Sequence, residues 1–282
     1  MTEYKEVHAR QILNPTAIDL AEYVINPYRG CAMSCLYCYA RFMKTSLREN
    51  RPWGEYVYVK INAPKVLERE IARKKPHCVL LGSTTECFQE IEKKYNLARR
   101  ILEVLHKHRI CYYILTRSPY IAESAALLRE DLCKGVYFTV NLYHASLKEK
   151  LEPRSAPFDE RLACVKALRA QGVRVIPYVS PFLPWICDVD ALCARLDVFE
   201  AIEFEGLNFR LGNIDALITS IAEEFPSLGD KYRAMRDEAW YYNDVWRQAR
   251  KALADKAAAH KKRYEIFVHA YNAYFENTYT TR

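Results

Sequence analysis

From about Tyr23 to the region of Asp215, short apolar runs alternate with amphipathic stretches, and this alternation constrains the fold more than any other feature. Cys78–Ser83, Cys111–Thr116, Gly135–Asn141, Val173–Val179 and Ala201–Phe204 read as buried strands, with a shorter one at Tyr23–Asn26. Between them, Ile91, Tyr95, Ala98, Ile101, Leu102 and Leu105 form an apolar stripe at helical spacing. Further helices are expected from about Leu36 to Leu47, from Pro64, from about Tyr120, over Phe158–Leu168 ahead of Gly172, and over roughly Val189–Leu196. Strands that alternate with helices and are apolar on both faces imply an α/β chain with a parallel sheet or barrel. Six such units, rather than eight, predict a partial (β/α)6 barrel over residues 1–225, with Tyr56–Ile61 as an inserted strand. A C-terminal helical extension over 226–282 is expected to pack on it. That extension reads as one long helix from about Asp230 through Lys262 and a strand-like piece near Tyr264–Val268.

Half of the 282 residues are hydrophobic, with no low-complexity stretch or internal repeat, which fits a globular chain. The sequence shows no bilayer-length apolar run and no N-terminal signal pattern, so the expected compartment is the cytoplasm. In a reducing compartment, clustered cysteines point to metal and scattered ones to packing. Of the 10 cysteines, Cys78, Cys111, Cys133, Cys164, Cys187 and Cys193 are scattered and read as packing residues. The net charge of +7 is compatible with a phosphate-bearing partner, but basic and acidic residues are interspersed, so charge alone names none.

Cys31, Cys35 and Cys38 are the tight cluster. They lie within Asn26-Pro27-Tyr28-Arg29-Gly30-Cys31-Ala32-Met33-Ser34-Cys35-Leu36-Tyr37-Cys38-Tyr39-Ala40-Arg41, after an expected strand and before an expected helix. Thiolates are the usual ligands of iron–sulfur clusters, which normally take four. Three in one loop leave one iron open to a chelating ligand. The competing reading is a structural zinc site completed by a distant Cys or His, although no second cysteine pair of zinc-site spacing is present.

The C-x3-C-x2-C spacing with Tyr37 before the last cysteine resembles the signature of the radical S-adenosylmethionine (SAM) superfamily. The wider string resembles the branch containing spore photoproduct lyase and its uncharacterised relatives, and the likeness runs from about Ile12 to Pro184. The branch's T-D-P-Y-Q-P is matched by Thr85-Glu86-Cys87-Phe88-Gln89-Glu90, and its E-K-x-Y-x-L-T-R-R by the nine residues from Glu92 to Arg100. Its T-K is matched by Thr116-Arg117 and its F-S-x-N by Phe138-Thr139-Val140-Asn141. Leu151-Glu152-Pro153-Arg154 and Pro181-Phe182-Leu183-Pro184 follow in the same order.

The resemblance implies a [4Fe–4S] cluster on Cys31, Cys35 and Cys38, and a SAM site built by Tyr37, Ser83, Thr85, Glu86, Arg117, Thr139 and Asn141. It implies reductive cleavage of SAM to a 5′-deoxyadenosyl radical that abstracts hydrogen from a substrate. It also implies an electron donor such as flavodoxin or ferredoxin. Spore photoproduct lyase returns hydrogen from a cysteine at the end of its second strand. Here that position is Ser83, and Cys87, where the branch has proline, is the candidate catalytic hydrogen donor. Its alternative is a buried loop thiol. Positions at the C-terminal ends of parallel strands suit all these roles, because ligands bind on that side of such barrels. Thr139 and Asn141 flank Val140 and so share a strand face.

The C-terminal third is rich in tyrosine, including Tyr241, Tyr242, Tyr264, Tyr271, Tyr274 and Tyr279, and in basic residues such as Arg247, Arg250, Lys251, Lys261, Lys262 and Arg263. Half-buried amphipathic packing and a solvated helix face are favoured over base stacking and phosphate binding. Three functional classes follow. The first is a radical SAM enzyme whose substrate is a nucleic-acid lesion or modification. The second acts on a peptide or protein, and the third is a non-enzymatic metal-binding module.

Overall fold

The computed structural model describes residues 1–128 and 131–271, arranged as two compact units. The first comprises Met1–Ser34, Met43–Phe138 and Ser155–Ile176. It holds β1 (Glu3–Val7), β2 (Leu13–Pro15), β3 (Tyr23–Ile25), β4 (Tyr28–Arg29), β5 (Tyr56–Lys60), β6 (Cys78–Leu81), β7 (Cys111–Thr116) and, but for its last residue, β8 (Cys133–Thr139). β3, β6, β7 and β8 run parallel in that spatial order, and the short β2 pairs antiparallel to β3. β1, β5 and β4 form a separate three-stranded sheet, with β1 parallel and β4 antiparallel to β5.

The helix Leu97–Lys107 buries Leu97 together with Ala98, Ile101, Leu102 and Leu105, the C-terminal part of the stripe expected from periodicity. Full burial of each such large apolar side chain contributes about 1.5–3 kcal/mol. The stripe is broken at Asn96, whose left-handed backbone (φ 49°) separates Glu92–Tyr95 from the longer helix. Glu92 then reaches forward and accepts from the N–H groups of Leu97, Ala98 and Arg99, so the new helix start is capped by a side chain from the preceding turn. The Tyr28 hydroxyl donates to the same carboxylate.

The second unit comprises Cys35–Phe42, Thr139–Arg154 and the chain from Pro177. β9 (Val175–Phe182), whose first residues belong to the first unit, pairs parallel with β10 (Ala201–Gly206). β10 pairs parallel with β11 (Arg263–Phe267), in register from Ala201↔Arg263 to Glu205↔Phe267. The six expected strands are present as β3, β6, β7, β8, β9 and β10, and β11 adds a further parallel partner to β10. Its helix Ala239–His260 presses Trp246 onto Gly206, where an added Cβ would stand 2.6 Å from the indole ring.

Several sequence expectations are corrected. Leu36–Leu47 is not one helix: a 3-10 turn at Tyr39–Phe42 and a short helix at Lys44–Leu47 are separated by the extended Met43 (ψ 146°). The segment from Tyr120 is a 3-10 helix, Pro119–Leu127. The long C-terminal helix is two, Gly229–Asp237 and Ala239–His260, parted by extended Glu238 (ψ 107°). Helices at Ala145–Leu151 and Ile214–Glu224 were not anticipated. Tyr274 and Tyr279 lie outside the described residues.

Candidate active site

The candidate residues divide between the two units. In the first, the loop entering the cysteine motif is shaped by Gly30. Its φ is +87°, and an added Cβ would lie 2.3 Å from the Tyr56 carbonyl oxygen, so only glycine fits. Cys31 follows, buried and outside any disulfide. Asn26, just past β3, ties this region to the end of β6: its Nδ2 donates to Ser83 Oγ at 3.1 Å and its Oδ1 accepts from Thr84 N–H at 3.0 Å. Its carbonyl accepts from Lys60 Nζ at 2.7 Å. Burial lowers the Lys60 amine to about 8.

Thr85, Glu86 and Cys87 occupy the turn after β6, and all three are buried. The Thr85 hydroxyl donates to the Gly30 carbonyl at 2.6 Å. Glu86 accepts from the Thr116 hydroxyl (2.7 Å) and from the N–H groups of Phe88 (2.9 Å) and Arg117 (2.9 Å), joining the ends of β6 and β7. Burial pushes its carboxyl upward against these hydrogen bonds. Three of its acceptor positions are therefore committed within the protein, which leaves room for one further donor. Arg117, at the end of β7, is half-buried. Cys87 has no exposed surface, and burial, then the Glu86 charge, holds its thiol well above the usual range. It stays an S–H group.

In the second unit, the remainder of the cysteine loop is gripped through its backbone. Leu36 N–H donates to Leu151 O at 2.9 Å, and Leu36 O accepts from Asn213 Nδ2 at 2.5 Å and Arg41 Nη1 at 3.3 Å. With both peptide groups engaged outside a helical ladder, Leu36 cannot begin the helix that the apolar pattern suggests. Cys35 is buried and Cys38 half-buried, and neither is in a disulfide. Tyr37 donates its hydroxyl to Glu152, a fully buried carboxylate. Asn141 Nδ2 donates to the same Glu152 oxygen at 2.9 Å and to Ser180 O at 2.7 Å. Asn141 Oδ1, by contrast, is buried with no hydrogen-bond partner. A buried orphan acceptor is costly in the bare protein, and a bound donor relieves it. Thr139 is buried at the end of β8.

Farther along the same strand ends, Glu205 accepts from the Tyr178 and Ser180 hydroxyls at 2.8 and 2.6 Å and faces His269 at 3.1 Å. Burial opposes its charge, but these partners win and keep the carboxyl below its usual value. Residue-by-residue reading did not single out Asn26, Gln89, Glu152, Asn213 or Glu205 as site residues. Asn26, Gln89 and Glu152 stood inside the quoted motifs, and Asn213 and Glu205 carried no local signal. Among the described residues, no three Cys, His, Asp or Glu side chains are gathered in a metal-ready arrangement. The scattered cysteines are free, and Cys78 and Cys111 are register neighbours on β6 and β7. The Tyr242 and Tyr271 hydroxyls donate to the carbonyls of His269 and Arg236, and Arg247 pairs with Asp244, as expected for amphipathic packing.

The family model described as Radical SAM superfamily matches residues 25–186. The uncharacterized protein MJ0683 of Methanocaldococcus jannaschii is 32% identical over 209 residues, covering 74% of this chain and 79% of that protein. Among solved structures, spore photoproduct lyase complexed with dinucleoside spore photoproduct superposes with a TM-score of 0.61 at 16% identity, covering 94% of this chain and 82% of that one. Streptococcus suis SuiB bound to its precursor peptide SuiA gives 0.56 at 13% identity, over 86% of this chain and 48% of SuiB. The fold is the α/β partial barrel shared by these enzymes. Soft thiols on one loop and an orphan buried acceptor on a strand end suit an iron–sulfur cluster and a polar cofactor. This chain belongs to the Radical SAM superfamily, whose cofactors are a [4Fe–4S] cluster and SAM.

Proposed function

We propose that Cys31, Cys35 and Cys38 are the protein ligands of the cluster, leaving one iron to the amino and carboxylate groups of SAM. The carrying observation is the spacing of three thiols, none of them in a disulfide, along one loop whose backbone is tethered by side chains from other strand ends. Bound together, the two cofactors supply reductive cleavage of SAM to methionine and a 5′-deoxyadenosyl radical that abstracts hydrogen. The rest falls to this chain's residues. Arg117 offers a two-pronged contact to a carboxylate. Glu86 has capacity for one more donor, such as an amino group, and Asn141 Oδ1 awaits one. Tyr37, Ser83, Thr85 and Thr139 complete the SAM-side polar set. Cys87, kept protonated by burial, is the candidate hydrogen donor.

For the substrate, a nucleic-acid lesion or modification is the leading reading, supported by the structural likeness to a lyase holding a dinucleoside photoproduct. The likeness to SuiB with its precursor peptide favours a peptide or protein as the second. Binding of single-stranded DNA or RNA measured against salt separates them, since phosphate contacts give a steep salt dependence. We further propose a low-potential electron donor such as flavodoxin or ferredoxin, and a cytoplasmic setting. Among the described residues, no helix is long and apolar enough to cross a membrane.

The first experiment is anaerobic reconstitution, reduction with dithionite, addition of SAM and assay of 5′-deoxyadenosine, with Cys35→Ala as the control. Production by the wild type alone supports the proposal. Equal production by the variant would remove Cys35 from the ligand set, and absence from both, with no SAM-dependent change in the cluster's EPR signal, would overturn the radical reading.

A further inference from the structure

The two peptide groups flanking Cys31 are held by one pair of buried side chains, all within the first unit. The Thr85 hydroxyl donates to the Gly30 carbonyl at 2.6 Å, and Gln89 Oε1 accepts from the Ala32 N–H at 2.9 Å. Gln89 Nε2 donates to Thr85 Oγ1 at 3.2 Å, closing the bracket. Gln89 has no exposed surface and Thr85 only 6%.

Burying a hydroxyl and an amide is unfavourable unless their hydrogen bonds are made. An apolar pair of similar size would fill this space without that requirement. Two of these hydrogen bonds reach the main chain on either side of a single cysteine, and the third joins the two side chains that make them. Gly30 is fixed from the other side by its close approach to Tyr56, so the loop is pinned on both flanks.

We infer that Thr85 and Gln89 are positioning residues for the iron–sulfur cluster, fixing the backbone that presents Cys31 and occupying the Ala32 N–H. The inference rests on Cys31 being a ligand. Residues behind a ligand commonly alter metal affinity 10- to 100-fold, and hydrogen bonds to cluster sulfurs shift the reduction potential. The two side chains therefore have separable consequences. Loss of the Gln89 amide releases a peptide N–H beside a thiolate, and an N–H bonded to sulfur stabilises the more negative, reduced cluster. Loss of the Thr85 hydroxyl frees the Gly30 carbonyl and the Gln89 Nε2–H group, which loosens the loop while Gln89 Oε1 still engages the Ala32 N–H beside the thiolate.

The test uses the full chain, reconstituted anaerobically with iron and sulfide, as wild type, Gln89→Leu, Thr85→Val, Thr85→Ser and Cys31→Ala. Two quantities are read: the rate of iron release to a ferrous chelator and the midpoint potential from an EPR-monitored redox titration. Gln89→Leu and Thr85→Val are expected to release iron about 10- to 100-fold faster, and Thr85→Ser to match the wild type. The potential is expected to rise in Gln89→Leu and to stay in place in Thr85→Val. Wild-type iron release and potential in both, with the cluster lost in Cys31→Ala, would overturn the positioning role alone. A full cluster in Cys31→Ala would instead overturn the ligand assignment beneath it. If Gln89→Leu does not fold, the Thr85→Val and Thr85→Ser pair decides on iron release.

Discussion

Tyr37, one residue before the third cysteine, donates its hydroxyl to Glu152, which lies 115 positions farther along the chain. The contact anchors the middle of the cysteine loop to the carboxylate that Asn141 also engages. Both partners are buried, and a hydrogen bond of this kind contributes about 0.5–1.5 kcal/mol net. Tyr37→Phe is expected to destabilise the apo protein by that amount, read as a lower urea midpoint with an unchanged slope. An unmoved midpoint would remove this contact from the account of loop stability.

Asn141 carries a buried amide oxygen with no partner, and a bound cofactor that donates to it gains what the bare protein lacks. Replacing Asn141 with alanine is expected to weaken SAM binding to the cluster-loaded protein by about 5- to 150-fold, the equivalent of a 1–3 kcal/mol hydrogen bond. Iron content should stay at the wild-type level. Equilibrium dialysis with labelled SAM, beside an iron assay, checks both. Equal SAM affinity in the two proteins would place Asn141 outside the cofactor site.

Burial raises the Glu92 carboxyl from 4.5 to about 7, although Tyr28 and three peptide N–H groups favour its charged form. The folded state therefore holds this proton more tightly than the unfolded chain. Its contribution to stability is fully present below pH 4.5 and is lost as pH rises toward about 7. Denaturation midpoints at pH 5 and pH 8 should show this loss in the wild type and a smaller one in Glu92→Gln. Identical pH dependence in the two would contradict it.

Gly30 joins a positive φ to a close approach. Gly30→Ala is expected to cost more than about 1 kcal/mol, because alanine at positive φ is strained and its Cβ must displace the Tyr56 carbonyl. Since the displaced loop presents Cys31, cluster loading should fall too. Thermal melting of the apo protein and iron analysis after reconstitution measure the two effects separately. A variant as stable as the wild type and fully loaded with iron would show that the backbone relaxes there without consequence.

Hydrophobic periodicity alone determined the order and type of most elements. A buried parallel strand is a short apolar run and its covering helix an apolar stripe, and both patterns are local. The spacing of Cys31, Cys35 and Cys38 was equally local, because one loop carries all three. The tertiary structure decided what depends on partners distant in sequence. Leu36 is kept out of a helix by Leu151 and Asn213, and the Leu97–Lys107 helix begins where Glu92 can cap it. The break at Glu238 carries no glycine or proline to announce it. Gln89, Glu152 and Asn213 are polar residues whose meaning lies in which backbone or side chain they meet once buried. Hydrogen-bond partners across 57 or 177 positions leave no periodic trace, so only the folded chain assigns them.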